Sequence, residues 1–339
     1  MKQIVFVEKN RAELLDVPEE PLLPGKVKVR MAYTAISSGT ERANLTGDEN
    51  VSGLRSSAPV PFPRTSGYSG SGVVESVGDG VTGLSVGDRV ATYWGQHKQY
   101  NVLSHENVIA LPSEVITLEE AALAFIASFP LAAVRKCRIE LGENCVVMGL
   151  GLLGLIAVQF ARLSGAYPII AVDLNEERLE LAQQLGADYV IDPKENNVNE
   201  QLSLYTKGRG ANTIIEATGN GDALNTALRS ASKFARVALL GCIRTPTTVD
   251  LYHDVHFPGV TLIGAHTNAR PEKESFPGYW THADDIKTVL QYLSQKRLNF
   301  QDLISQRCSP AQASEIYNRL AFDPNFPIGV LFQWDLLTN

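Results

Sequence analysis

The 339-residue chain has no Cys-x-x-Cys pair, no apolar run long enough to cross a bilayer and no excess of positive charge. Each absence removes a class of protein. Four scattered cysteines, Cys137, Cys145, Cys242 and Cys308, give no spacing for a zinc knuckle or a disulfide framework. Two of them lie in or beside apolar runs, where cysteine behaves as a small hydrophobe. That usage suits a reducing compartment. With an amino-terminal MKQIVFVEKN that lacks a signal-peptide pattern, the expectation is a cytoplasmic protein with no membrane partner. A net charge of −7 offers nucleic acid or an acidic membrane no electrostatic hold. No internal repeat or low-complexity segment is present. What remains is an ordinary soluble composition, 44% hydrophobic and 20% charged, at a length that suits two domains.

The period of the apolar positions changes along the chain. Short alternating or apolar runs at 2–8, 12–17, 26–33, 70–77 and 88–93, punctuated by glycine and proline, predict a β-rich and partly barrel-like first unit. An alanine-rich stretch predicts one helix over 119–137. Strand and helix then alternate. Strands are expected at 144–148, 168–172, 189–191, 213–216, 236–240 and 261–264, and helices at 152–164, 176–185, 199–206, 222–231 and 284–294. Six strands with intervening helices predict a doubly wound parallel sheet whose ligand crevice lies at the carboxyl ends of the strands. A final helix over 311–320 and a strand over 328–333 return the chain to the first domain. The expected division is 1–134 with 300–339, and 135–299.

The strongest local signal is Cys145-Val-Val-Met-Gly149-Leu-Gly151-Leu-Leu-Gly154: an apolar strand ending in G-x-G-x-x-G and opening a helix. Asp173 closes the next apolar run 19 positions after Gly154, the distance at which a dinucleotide-binding βαβ unit carries its ribose acid. Gly149 permits the tight turn, Gly151 lets backbone approach a pyrophosphate, and Gly154 allows close helix–strand packing. Leu152 and Leu153 belong to the first helical turn, whose free amides face the phosphates. A carboxylate at Asp173 accepts from a 2′-hydroxyl and repels a 2′-phosphate. Leu174 follows it, and no cation appears before Arg178, so NAD is expected over NADP. Asp173 also suits an N-cap of the next helix, and the two roles are compatible.

Further motifs carry a family resemblance over nearly the whole chain. The run from Pro63 through Gly67, Gly72 and Gly78, with Val86-Gly-Asp-Arg-Val90, resembles the GroES-like catalytic domain of the medium-chain dehydrogenase/reductase superfamily. Gly186-Ala-Asp, Ile215-Glu-Ala-Thr-Gly219 and Leu239-Leu-Gly241 resemble its cofactor domain. The implied fold is α/β, a GroES-like β-rich catalytic domain plus a doubly wound parallel-sheet Rossmann domain, with Thr218, Gly219, Gly241 and His266 joining the cofactor site. Zinc-dependent members carry a cysteine where this chain has Ser37, Gly-His-Glu where it reads Gly67-Tyr68-Ser69, and a third ligand in the region of Phe125. Their cysteine-rich structural-zinc lobe is missing after Arg89. A hydroxyl and a phenol are poor zinc ligands at neutral pH, so no metal is expected. The variants Ile36-Ser-Ser-Gly-Thr-Glu41 and Gly67-Tyr68 resemble, more loosely, a subgroup that includes bacteriochlorophyllide dehydrogenase-like proteins.

Without a metal, hydrogen-bond donors must stabilise the alkoxide that develops during hydride transfer. Tyr68 is the expected donor and proton carrier, with Ser37 and Thr40 as a hydroxyl chain and Glu41 facing substrate. An ordinary phenol, near pKa ~10, is a weak base and needs help from such neighbours. Substrate contacts are expected from Arg42, from His97 in the loop Gly95-Gln-His-Lys-Gln-Tyr100, and from Asn268, Arg270, Tyr279 and Trp280, whose forked and stacking groups suit a hydroxyl-rich or carboxylated molecule. Four of the six histidines fall between 253 and 282, but their spacing shows no ligand triad. The expected function is zinc-independent hydride transfer between NAD(H) and a secondary alcohol or ketone, with a sugar, polyol or cyclitol-like substrate. The alternatives are an NAD(P)H-dependent reductase of a quinone, enone or biosynthetic ketone, and a non-catalytic dinucleotide sensor. The apolar strand at 261–264 leaves a sheet edge open, which predicts a homodimer or homotetramer.

Overall fold

Period-two patterning gives way to strand–helix alternation, and the chain follows that change. The computed structural model describes residues 1–48 and 60–337. Two compact units are formed, Met1–Ile126 with Ile286–Asn339, and Ala127–Asp285. The expected boundaries at 134 and 300 fall later than these. Sequence places a boundary where a pattern stops, whereas here the chain changes unit inside a helix at both crossings.

The first unit begins with β1 (Lys2–Glu8), β2 (Arg11–Asp16), β3 (Lys26–Ala35), α1 (Ser38–Thr46), β4 (Arg64–Thr65), β5 (Ser69–Val77), β6 (Arg89–Tyr93), β7 (Tyr100–Ser104), β8 (Val108–Ala110) and α2 (Leu118–Ala122). α3 (Ala124–Cys137) leads into the second unit, which holds β9 (Cys145–Met148), α4 (Leu152–Leu163), β10 (Ile169–Val172), α5 (Glu176–Gln184), β11 (Tyr189–Ile191), α6 (Val198–Tyr205), β12 (Ala211–Glu216), α7 (Gly221–Arg229), β13 (Ala231–Leu239) and β14 (Thr261–Gly264). α8 (His282–Ser294) leads back to β15 (Gln306–Cys308), α9 (Ala313–Phe322) and β16 (Val330–Gln333).

Two sequence expectations are corrected. The single helix over 119–137 is two: a Thr117–Glu120 capping box opens α2, and the chain breaks at Leu123 before α3 begins. The helix expected over 222–231 ends at Arg229, because Ala231 already pairs with Ala211 in the sheet. The strands β7, β8 and β15 gave too short a pattern to be read from sequence.

The parallel sheet runs β11-β10-β9-β12-β13-β14. Taking these strands in chain order, this is the 3-2-1-4-5-6 arrangement of doubly wound dinucleotide folds, with its switch point between β9 and β12. Val146, Val147, Ile170, Ile214, Ile215 and Val237 are fully buried, which is why these strands read as continuous apolar runs. Burying each such side chain contributes about 1.5–3 kcal/mol, so a one-residue slip of register is strongly disfavoured. β14 is the sheet edge, and Thr261, Leu262 and Gly264 are exposed.

The other unit has a mixed sheet of order β15-β16-β3-β5-β6-β8, with β7 also paired to β3, and a smaller sheet β2-β1-β4. Its core gathers Phe6, Val29, Met31, Leu45, Tyr317 and Phe332. α1 ends at Gly47 in the left-handed conformation, φ 66°, donating back to Ala43 O. No helix among the described residues is long and apolar enough to cross a membrane.

Candidate active site

In the parallel-sheet unit the glycine turn has the three properties its spacing demands. Gly149 sits at φ 88°, and a Cβ there would lie 2.9 Å from Thr218. A Cβ on Gly154 would stand 1.8 Å from Gly149 O, so only glycine lets α4 begin this close to β9. Gly151, the N-cap of α4, differs from both: a Cβ there meets nothing within 4 Å. That open space, beside first-turn amides with no intrahelical acceptors, fits an anionic phosphate group. Gly151, Leu152, Leu153 and Gly154 are the residues that could hold a dinucleotide's pyrophosphate.

Asp173 follows β10, with one carboxylate oxygen accepting from Leu150 N–H (2.6 Å) and the other from Asn175 N–H (2.9 Å). These bonds tie the glycine turn to the β10 loop and leave each oxygen lone-pair capacity for a ribose hydroxyl. The N-cap of α5 is Asn175, which accepts from Arg178 N–H, so Asp173 does not cap the helix. Lys194, which sequence spacing did not reveal, donates its Nζ proton to Leu174 O. Thr218 and Gly219 follow β12, and Gly241 follows β13. A Cβ on Gly241 would lie 2.3 Å from Gly219 N, so these two loops touch through backbone. Between them Glu216 is buried, and burial raises its carboxyl pKa; Oε1 accepts from Thr218 N–H at 2.7 Å.

The loop after β14 is pinned from within the same unit. Buried Lys136 donates to Gly264 O (2.9 Å) and Ala269 O (2.6 Å), and burial lowers its pKa. Arg270, expected to fork a substrate, is corrected to an internal tie. Its guanidinium is 4% exposed and bonded to Asp285 (3.1 Å), Ser128 O (3.0 Å) and Thr267 O (3.0 Å). Asp285, fully buried, also pairs with Arg135 at 2.9 Å, and Arg135 stacks at 3.7 Å on Trp280. Trp280 therefore spends a face on Arg135, while Tyr279 stacks on Phe276 (5.2 Å). His266 and Asn268 remain on the exposed turn, with Asn268 N–H donating to His266 Nδ1. His282 lies at the start of α8, its pKa pushed down to about 3 by burial and then by Arg270.

In the β-rich unit, Tyr68 O–H donates a short hydrogen bond to Ser37 Oγ. Ser37 is the N-cap of α1 but makes no side-chain cap bond, which leaves its hydroxyl for Tyr68. The Tyr68 ring packs against Phe125 (5.5 Å, edge-on) and Trp94 (6.0 Å). A cavity of about 150 Å³ is lined by Thr40, Asn44, Thr65, Ser66, Gly67, Tyr68, Gly95 and Gln96. None of these described residues is charged. Ser37, Tyr68 and Thr40 are thus brought to one place, as expected. Sequence missed Asn44, Thr65, Ser66 and Gln96, although Asn44 follows Thr40 by one turn of α1 and Thr65 and Ser66 immediately precede Gly67.

Three expected contacts are corrected. Glu41 is fully buried and turns inward: Oε1 accepts from Ser37 N–H (3.0 Å) and Oε2 from the Tyr317 phenol (2.6 Å). His97, expected on a cleft-side loop, is also fully buried, with Nε2 donating to Glu41 (3.1 Å) and Nδ1 bonded to Thr34 Oγ1 (2.7 Å). Arg42 donates to Leu320 O (2.6 Å) and Asp323 O (3.4 Å), satisfying carbonyls at the end of α9 rather than a substrate. A catalytic zinc needs three N, S or carboxylate ligands and an open position. Ser37, Tyr68 and Phe125 offer a hydroxyl, a phenol and a hydrocarbon. Among the described residues no group of three His, Cys, Asp or Glu side chains is placed to hold a metal. The Glu41–His97 pair is closed off by Ser37 N–H, Tyr317 and Thr34. The described residues at this place do not offer the three ligands that a catalytic zinc needs.

Comparison with known proteins agrees on the fold. Residues 23–124 match the alcohol dehydrogenase GroES-like domain, and residues 153–285 match the family described as zinc-binding dehydrogenase. D-guloside 3-dehydrogenase of Escherichia coli is 27% identical, over 94% of this chain and 95% of its own. L-threonine 3-dehydrogenase of Symbiobacterium thermophilum is 30% identical over 75% and 78%. The crystal structure of galactitol-1-phosphate dehydrogenase from Escherichia coli superposes with a TM-score of 0.85 at 22% identity, covering 98% of this chain and 100% of that one.

Proposed function

The chain belongs to the medium-chain dehydrogenase/reductase superfamily, an oxidoreductase of alcohol dehydrogenase type, and from that premise we propose that it interconverts a neutral, polyhydroxylated secondary alcohol and its ketone with NAD(H), without zinc. The observation that carries the reading is Tyr68, hydrogen-bonded to Ser37, on the wall of a cavity whose described lining is of neutral hydrogen-bonding residues. Among the described residues a phosphorylated or carboxylated substrate finds no cation in that lining, whereas vicinal hydroxyls find donors and acceptors. Similarity to D-guloside 3-dehydrogenase supports a sugar-like substrate.

When bound, the nicotinamide would supply the hydride chemistry; Gly151, Leu152, Leu153 and Gly154 would hold the pyrophosphate of its dinucleotide, and Asp173 the ribose. Tyr68 and Ser37 hold the substrate oxygen and carry its proton, donating to the oxygen as charge develops. One such donor is worth about 10²–10³ in rate. Phe125 keeps the phenol in an apolar frame on its ring face and leaves its oxygen toward the hydroxyl chain. Acceptance of NADP is a second reading, favoured by the exposed Lys194 beside Leu174. The exposed edge of β14, with exposed Phe234, Tyr252 and Phe257 on the same unit, supports a homo-oligomer, and free cysteines suit a cytoplasmic setting.

The test is NADH absorbance across neutral sugars, polyols and cyclitols against their phosphates, with metal analysis of the same preparation. Turnover of a neutral alcohol by zinc-free protein is expected. Turnover confined to phosphorylated substrates, or activity that tracks stoichiometric zinc, overturns the reading. A monomer by light scattering removes the oligomer.

A further inference from the structure

Four polar side chains sit where apolar ones would pack: Glu41 and His97 are both 0% exposed, Tyr317 is 0% and Thr34 is 2%. Burying polar and ionisable groups costs free energy even when they are paired, and hydrophobic replacements of similar volume are often neutral or stabilising. Stability alone therefore does not account for this network, and its connections point elsewhere.

One end reaches Ser37. Glu41 N–H donates to Ser37 O (2.8 Å), and Glu41 Oε1 accepts from Ser37 N–H (3.0 Å), so this carboxylate clamps the peptide that presents the Ser37 hydroxyl. The other end reaches Tyr68. His97 N–H donates to Ser66 O at 2.8 Å, and its ring fills the space above Gly67, where a Cβ would lie 2.4 Å from Cγ and Cδ2. Gly67, at φ 89°, immediately precedes Tyr68. Joining the two ends is the bond from His97 Nε2 to Glu41. Behind it, Thr34 Oγ1 meets His97 Nδ1 and accepts from Trp334 Nε1 (3.0 Å), which fixes the ring. Tyr317 completes the carboxylate, and burial together with Glu41 raises its phenol pKa and keeps it a donor.

We propose that the buried Glu41–His97 pair is a positioning device for the Ser37–Tyr68 hydroxyl pair, Glu41 setting Ser37 and His97 setting Tyr68 so that the hydrogen bond between them is kept. Neither residue touches substrate. The proposal rests on the reading that the alcohol reacts at that hydroxyl pair.

The test reads Tyr68 directly, with neither substrate nor cofactor present. Absorbance titration of the phenol, taken as the difference between the protein and its Tyr68→Phe variant, is repeated in the Glu41→Gln and His97→Asn backgrounds. Losing the Ser37 acceptor removes a bond that favours the neutral phenol, so the Tyr68 midpoint is expected to fall by about one pH unit in each. Leu45→Ala, on the same α1 and fully buried in the same core, serves as the control. It is expected to lower Tm while leaving the Tyr68 midpoint in place. Where Glu41→Gln does not fold, Tyr317→Phe removes one donor to the same carboxylate and is read in the same way. In the turnover assay kcat should fall at least about tenfold with KM and the NAD Kd unchanged, a transition-state loss. A midpoint that stays put or rises, or an equal fall in Leu45→Ala, overturns the positioning role. Absent turnover with a shifted midpoint would count against the dehydrogenase reading and not against the clamp.

Discussion

The dinucleotide cradle and the hydroxyl site are made from different parts of the polypeptide. In the parallel-sheet unit the contacts offered are backbone: amides at the start of α4, reached because Gly149 and Gly154 carry no side chain. In the β-rich unit the contacts are side chains from the start of α1, the segment before β5 and the loop after β6, assembled by a buried network they do not share in sequence. A site of the first kind is a property of ten consecutive residues. One of the second kind is a property of the core beneath it, which is why Glu41 and His97, chosen from sequence as candidates for direct contact, lie inside instead.

The sharpest way to break this comparison is at the glycines. Gly154→Val, whose Cβ would overlap Gly149 O, should abolish both soluble folding and NAD binding. Gly151→Ala meets open space and should fold normally, with Tm unchanged, yet weaken NAD by at least about tenfold in calorimetric titration. Equal effects of the two variants would mean that the open position is not a ligand cradle.

Substitutions at the hydroxyl pair should act on rate alone. Tyr68→Phe is expected to lower kcat by about 10²–10³ while the NAD Kd stays within about twofold, and Ser37→Ala to follow it more weakly. A Tyr68→Phe enzyme with full kcat would remove the phenol from the chemistry.

The pinned loop of the parallel-sheet unit has its own signature in pH. His282 titrates at about 3 in the folded chain, against an ordinary value near 6.5, because burial and Arg270 disfavour its cation. The unfolded chain therefore takes up this proton first as the solution is acidified. Stability owed to the neutral imidazole is complete above about pH 6.5 and is lost progressively as pH falls toward 3. Urea midpoints measured from pH 7 to pH 4 should decline less steeply in His282→Asn than in the unmodified chain; parallel declines would place the titrating group elsewhere.

The smallest effect is expected at Asp173→Asn, which keeps an acceptor for a backbone amide but removes the charge. The ratio of NADP to NAD dissociation constants should fall about tenfold or less, since Lys194 already stands beside Leu174. An unchanged ratio would take cofactor choice away from this carboxylate.

Much of the parallel-sheet unit was legible because its information is local. Strand runs, the G-x-G-x-x-G turn and the acid at Asp173 are each recognisable from short runs of consecutive residues and the spacing between them. Less of the β-rich unit could be read. Ser37, Thr40 and Tyr68 were identified together, but through a resemblance rather than a spacing. Arg42 and Arg270 were read as substrate contacts because the groups that hold them are not marked in the sequence around them. Their partners, Leu320 and Asp323 carbonyls for one and Asp285 and Ser128 for the other, are supplied from far along the chain.

Sequence alone determined the order of elements and the dinucleotide turn, since backbone geometry and apolar periodicity are written in neighbouring residues. Only the tertiary structure decided which polar side chains face a cavity and which are sealed beneath it. Burial depends on what other segments bring to the same place, and a desolvated charge such as Glu41 persists only where distant groups (His97 and Tyr317) meet it.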